Sequence, residues 1–297
     1  MVATTGTRVK RSIPRIALAA PAVALQALLL FVPLLLAVVL SFTNWNGFSP
    51  SFSFVGIQNY LRVFSDSDVS RAAVVTAILA VVGTIGCNAF GLGIALLLNK
   101  SSRINSVLRA IFFYPQVLSP LVIGFIWGTF LASQGVANSI LTQSGLDAVP
   151  FLSDPNIAVA SIAIVLIWSH FGVNIVLYLA GLQTIPPALL EAARMDGAST
   201  SKTFRHVTLP LLAPIVTLNV VLVLVSFIRT YDVVLSLTDG GPAGRTRTIA
   251  YLILNDSIKN GQMGFGSAQA VVLALVTGVI AILIILIRRR ADAAIES

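Results

Sequence analysis

Six runs of this chain contain no Asp, Glu, Lys or Arg: residues 16–61, 72–99, 110–146, 155–190, 206–228 and 260–287. A helix that crosses a bilayer needs about 20 mostly apolar residues. No water is present there to satisfy backbone groups left outside a helix or closed barrel. Each run therefore holds one span, and those of 37 and 36 residues are too short for two spans plus a turn. The first run loses its second half to SFTNWNGFSPSFSF, residues 41–54, which is rich in turn formers. The expectation is an all-α integral membrane domain over residues 16–287, with helices near 16–40, 74–98, 109–131, 157–181, 210–234 and 267–287. The apolar stretch 16–40 outruns the signal-peptide core of about 7–15 residues, so the first helix is read as retained.

Composition agrees: 57% of residues are hydrophobic and 10% charged, against roughly 45–50% and about 25% in soluble domains. Lys and Arg in the flanks set the orientation. With the N-terminus inside, thirteen basic residues fall on inner segments and six on outer ones. Both termini are then cytoplasmic, with a basic N-terminal segment (1–15) and a C-terminal tail (288–297). The net charge of +8 is split among short flanks instead of forming one face. Attraction to anionic membrane lipid accounts for it, and nucleic acid is not an expected partner. Cys87 is the only cysteine and lies within the second span, so an internal disulfide and a CxxC metal site are excluded.

The polar segment EAARMDGASTSKTFRHVTLP, residues 191–210, stands between the fourth and fifth spans, on the inner side. Pro186 and Pro187 suit a first helical turn, where a missing N–H costs nothing. Residues 188–195 form a helix with Leu189, Leu190 and Ala193 on one side and Glu191 and Arg194 on the other. Gly197 sits where a helix ends in a left-handed residue, and Ser199 or Thr200 can cap the next turn, which carries Phe204 and Val207. Pro210 then opens the fifth span. On this pattern alone the segment could be an amphipathic loop lying on the inner leaflet.

The motif Glu191-Ala192-Ala193, Asp196-Gly197-Ala198, Phe204, Leu209-Pro210 and Pro214 resembles the EAA loop of ABC-importer permeases, with Val207 where that family has Ile. SFTNW, FVGIQNYLRVF, FFYPQVLSPLVIGFIW and LTDGGPAGRTRTIAYLI resemble the carbohydrate-type subfamily, the first of the two paired permeases of maltose and glycerol-3-phosphate importers. The resemblance implies a type I ABC-importer transmembrane domain in the bacterial cytoplasmic membrane, with a cytoplasmic coupling loop at 182–209. It also implies three partners: a second homologous permease, a cytoplasmic ABC ATPase dimer and an extracytoplasmic solute-binding protein. Residues 238–248 are implied to meet that binding protein. ATP and Mg would be used by the ATPase alone, with no cofactor on this chain. In keeping with that, no G-x-x-x-x-G-K-[ST] loop, nucleophile elbow or HExxH occurs.

Polar side chains inside spans are site candidates. The fourth span carries Trp168, Ser169, His170 and Asn174, which either bond their own and neighbouring helices or face a pathway. The resemblance maps a sugar-lining face onto Leu166, Ser169, His170 and Val173, spaced as one helical stripe. It maps the facing stripe of the next span onto Val223, Ser226 and Phe227. Phe171, Tyr231 and Trp168 add rings that could stack on a sugar. Arg229 precedes Asp232 by three residues. The two can pair on one helix face, or Arg229 can face the cavity and hold an anionic or highly hydroxylated ligand. Pro115 and Pro120 are expected to kink the third span. The implied solute is a mono- or oligosaccharide, or alternatively glycerol-3-phosphate or a polyol. An ion-coupled secondary transporter would want acids inside spans, and only Asp232, near an end, is available.

Overall fold

The computed structural model describes residues 13–296; the basic residues Arg8, Lys10 and Arg11 and the terminal Ser297 lie outside the described residues. The chain forms two compact units, one of residues 1–63 with 256–271 and one of residues 64–255 with 272–297. Among the described residues the regular structure is helical, with one isolated antiparallel bridge between Thr43 and Phe54. Among the described residues five helices are long and apolar enough to cross a membrane, or six if a pair of helices bent at a break between them counts as one span.

In the first unit α1 (Ile13–Leu40) includes Pro21 and Pro33, and no side chain from Ala20 to Leu40 is buried. The segment after it is folded. The Ser41 and Thr43 hydroxyls donate to the Val38 and Leu40 carbonyls at 2.6 and 2.8 Å, closing the helix end. From α2 (Gln58–Ser65), the Asn59 amide donates to the Ser41 and Thr43 carbonyls, both at 2.8 Å. Arg62 stacks its guanidinium 3.8 Å above the Phe265 ring and donates to the Gln262 side chain at 2.7 Å. At Gly264 a Cβ would lie 2.0 Å from the Thr43 carbonyl oxygen, so the backbones there pack directly on each other.

The second unit is built on α3 (Ser67–Leu97) and α7 (Pro155–Gln183), capped at their N-termini by Asp66 and Asp154. Their interface uses glycine. A Cβ at Gly86 would sit 2.5 Å from Ile167, and one at Gly91 2.6 Å from Asn174. The third span is not the single kinked helix expected over 109–131. It is α4 (Arg103–Phe113), a short tight turn over Tyr114–Val117, and α5 (Pro120–Phe130), with the two helices bent by 98°. Two prolines explain the break. Leu118 and Ser119 are extended, as a residue before proline prefers, and Pro115 and Pro120 cannot donate to the ladder. A short α6 (Val136–Gln143) then leads towards α7.

Beyond α7 come α8 (Pro187–Met195), α9 (Thr200–Thr203) and α10 (Leu209–Ile228). Helix begins ahead of Pro210, because Thr200–Ile228 is one continuous helical path. Pro210 lacks the N–H for an α-helical bond, and just ahead of it Phe204–Thr208 widen into a π turn, with Leu209 N–H bonding the Phe204 carbonyl. The fifth span does not reach residue 234. It stops at Ile228, and a separate α11 (Asp232–Thr238) follows. After α12 (Ile249–Leu254), α13 (Met263–Glu296) continues as helix beyond the expected limit at 287. The core joins Leu79, Ala80 and Cys87 of α3, Ile162, Val165 and Leu166 of α7, Val223 and Phe227 of α10, and Val233 and Val234 of α11.

Candidate functional site

Two features combine exposed chemistry with a fixed frame, and the first is the polar hairpin. Pro187 opens α8, and Ala193 and Leu190 are half-buried on it, with Leu190 against the cluster of Ile175, Leu179, Leu182 and Leu212. The outward face offers Glu191, Ala192, Leu189 and Met195, the last 89% exposed. Glu191, Arg194 and Asp196 make no ion pair among the described residues. Gly197, at φ +73°, ends the helix. Its N–H bonds the Arg194 carbonyl, and Ala198 N–H bonds that of Ala193, both at 3.0 Å. These two bonds form a Schellman closure, and the left-handed residue is what allows it. The Ser199 hydroxyl accepts from Lys202 N–H, leading into the turn that carries half-buried Phe204 and exposed Leu209 and Pro210.

The second feature is a cavity of about 440 Å³ between α7, α10, α11 and the start of α5. It gathers Leu166, His170, Ser226, Arg229, Tyr231 and Asp232 with Pro120. His170 Nδ1 lies 3.0 Å from the Leu166 carbonyl oxygen and 2.9 Å from the Ser169 hydroxyl, which itself donates to that carbonyl at 2.9 Å. A carbonyl can only accept, so this pattern assigns the imidazole proton to Nδ1 and leaves Nε2 as an acceptor. The ring meets Phe227 edge-on, centroids 5.2 Å apart. Arg229 ends α10 as its C-cap, is exposed, and makes no ion pair among the described residues. The expected pairing with Asp232 on one helix face is absent, because the helix breaks between them and Asp232 starts α11.

The expected lining residues divide. His170, Ser226 and Arg229 reach the cavity; Ser169, Val173, Asn174, Val223 and Phe227 do not line it. Val223 and Phe227 are core, and a Cβ at Gly83 would meet the Phe227 ring at 1.9 Å. Asn174 is 1% exposed, and its Cβ faces Gly91 of α3. On the same two helices is a polar seam in which Tyr178 donates to Asn88 at 2.5 Å and Asn88 donates to the Thr84 carbonyl at 2.8 Å. Sequence reasoning overlooked this seam, although Asn88 and Asn219 interrupting apolar spans were its signal. Among the aromatic candidates Tyr231 lines the cavity, whereas Trp168 packs against Trp127, and Phe171 against Phe90 and Phe112.

The glycine-rich loop after α11 is held from within. Thr246, fully buried, shares a hydrogen bond with Thr238 at 2.8 Å and donates to the Gly241 carbonyl at 2.6 Å. The Tyr251 hydroxyl donates to the Asp239 carboxylate at 2.8 Å. Burial, and then that carboxylate, push its pKa up to about 12.

These features place the molecule in a class by fold: a type I ABC-importer permease. It superposes on a chain of a bacterial alginate ABC transporter solved in complex with an alginate pentasaccharide-bound periplasmic protein. The TM-score is 0.82 at 22% identity, covering 97% of this chain and 98% of that one. The chain belongs to the family of binding-protein-dependent transport system inner membrane components, whose pattern matches residues 88–297. It is 33% identical to the multiple sugar-binding transport system permease protein MsmF of Streptococcus mutans, over 87% of this chain and 89% of that one. It is 32% identical to the sn-glycerol-3-phosphate transport system permease protein UgpA of Agrobacterium fabrum, over 87% and 89% respectively.

Proposed function

We propose that this chain is a transmembrane subunit of an ATP-driven importer that moves a saccharide delivered by an extracytoplasmic binding protein. The observation that carries the reading is α8: a short helix closed by hydrogen bonds at both neighbouring turns, with an apolar tip facing outward and a carboxylate that makes no ion pair among the described residues. Such a helix can seat in a cleft of a cytoplasmic ATPase and move as one body with it. In this reading both termini are cytoplasmic, ATP and Mg act on the ATPase, and a second homologous permease completes the pathway. Residues 182–209 form the coupling loop, with Glu191, Ala192 and Ala193 at the contact and Asp196, Gly197 and Ala198 holding its angle. Residues 238–248 face the binding protein.

His170, Ser226 and Tyr231 suit a hydroxylated solute, through one acceptor, one hydroxyl and one ring. A second reading is favoured by Arg229, which shares the cavity with Asp232 but makes no ion pair among the described residues, and by the likeness to the glycerol-3-phosphate permease. In that reading the solute carries an acidic group. The test is purification from mild detergent with mass spectrometry of the accompanying subunits, then uptake into proteoliposomes. An ATPase, a second permease and a binding protein are expected. Arg229→Gln should cut uptake of an acidic solute at least tenfold and leave a neutral saccharide nearly unchanged. A chain that purifies alone and transports on an ion gradient overturns the proposal.

A further inference from the structure

A groove of about 580 Å³ runs between α3 and α7, away from the cavity that holds Arg229. Its length is lined by Val74, Ile78 and Val82 on one side and Val159, Ala160 and Ala163 on the other. Its mouth, at the N-terminal ends of the two helices, carries Ser70, Arg71, Asn156 and Arg245. From Arg71 to Val82 along α3 is about 16 Å at 1.5 Å per residue. That is the depth of one leaflet of a hydrocarbon core about 30 Å thick. The groove's walls are apolar over that length, which suits a hydrocarbon chain.

The mouth gathers Arg71, Arg245 and Arg247 beside the carboxylates Asp68 and Asp154. Arg71 pairs with Asp68, which Arg247 also approaches at 3.7 Å. Asp154 is engaged by the Asn156 and Ile157 N–H groups of the first turn of α7, at 2.9 and 3.0 Å. The Arg245 side chain is exposed and has no hydrogen bond or ion pair among the described residues. A guanidinium held at the end of an apolar slot at leaflet depth matches one ligand chemistry: a phosphate attached to an acyl chain. We propose that this groove is a binding site for an anionic phospholipid, with one acyl chain between α3 and α7 and the headgroup phosphate on Arg245 and Arg71.

Native mass spectrometry tests this on the protein purified with its accompanying subunits. Dioleoylphosphatidylglycerol and dioleoylphosphatidylcholine are added at equal concentration. The expected result is one phosphatidylglycerol retained per chain, at least tenfold above phosphatidylcholine. Arg245→Gln, which removes a side chain without a hydrogen bond or ion pair among the described residues, should lower that preference at least fivefold. Ala160→Phe, which fills the slot, should remove the adduct. Arg103→Gln, an arginine outside the groove, should leave it unchanged. Equal retention of the two lipids, or no response to Arg245→Gln and Ala160→Phe, overturns the proposal. So does efficient cross-linking of Val159→Cys to a second permease, which would make the groove a subunit interface.

Discussion

Gly197 offers the sharpest test of α8 as a rigid handle. An alanine Cβ there would meet nothing within 4 Å, so sterics with neighbours contribute nothing to the effect. What remains is the backbone: φ is +73°, and an L-residue in that region costs roughly 1–2 kcal/mol. That cost falls on the closure formed by Ala198 N–H to the Ala193 carbonyl and Gly197 N–H to that of Arg194. A change of that size multiplies the opening constant by about 5- to 30-fold. Hydrogen exchange at the Ala198 amide should accelerate by the same factor in Gly197→Ala. Asparagine, which tolerates left-handed backbone, should give a smaller increase. Proline, fixed near φ −65° and lacking the N–H, cannot adopt the closure at all. In proteoliposomes the ratio of ATP hydrolysed to solute moved should rise in the order Gly, Asn, Ala, Pro. Glu191→Lys should raise the ratio without changing exchange at Ala198, because its carboxylate makes no ion pair among the described residues. Wild-type exchange and coupling in Gly197→Pro would refute the reasoning.

Gly83→Val should abolish recovery of folded protein from detergent, since even the first added carbon would overlap the Phe227 ring; Gly83→Ala with Phe227→Leu should restore part of it. Tyr178→Phe removes the donor to Asn88 and should cost about 1 kcal/mol. A detergent thermal melt should show this as a drop of roughly 2–4 °C. Lengthening Ser226 to Gln should raise KM for the solute while the α8 closure, read by exchange at Ala198, stays as in the wild type.

Several elements were legible because their causes are local. The prolines at 115 and 120 announced a distortion of the third span, and Gly197 with Ser199 announced the stop and restart around the hairpin. How far the distortion goes was not local. A proline removes one hydrogen bond, and whether the chain then bends slightly or by 98° depends on what packs against each half. In α5, a Cβ at Gly124 would lie 1.7 Å from the Ser236 hydroxyl oxygen of α11, so the two helices are in direct contact. The end of α10 was misread for a related reason. Apolar character resumes at Val233–Leu235, but Arg229 and Thr230 leave the helix, and the Thr248 hydroxyl takes up the Thr230 carbonyl, 18 residues away in sequence.

The sequence alone determined that the chain spans a membrane, about how many times, and which polar hairpin stands outside it. Those properties follow from burying apolar runs and from turn chemistry, both readable within a few residues. Only the tertiary structure decided which side chains share a cavity. A stripe at i, i+3, i+4 and i+7 defines a helix face but not what faces it. The Leu166–Ser169–His170–Val173 stripe is split between its own backbone, a neighbouring ring and open space. Asn174 was drawn away by a glycine on α3, because two helix backbones approach closely only where a side chain is missing.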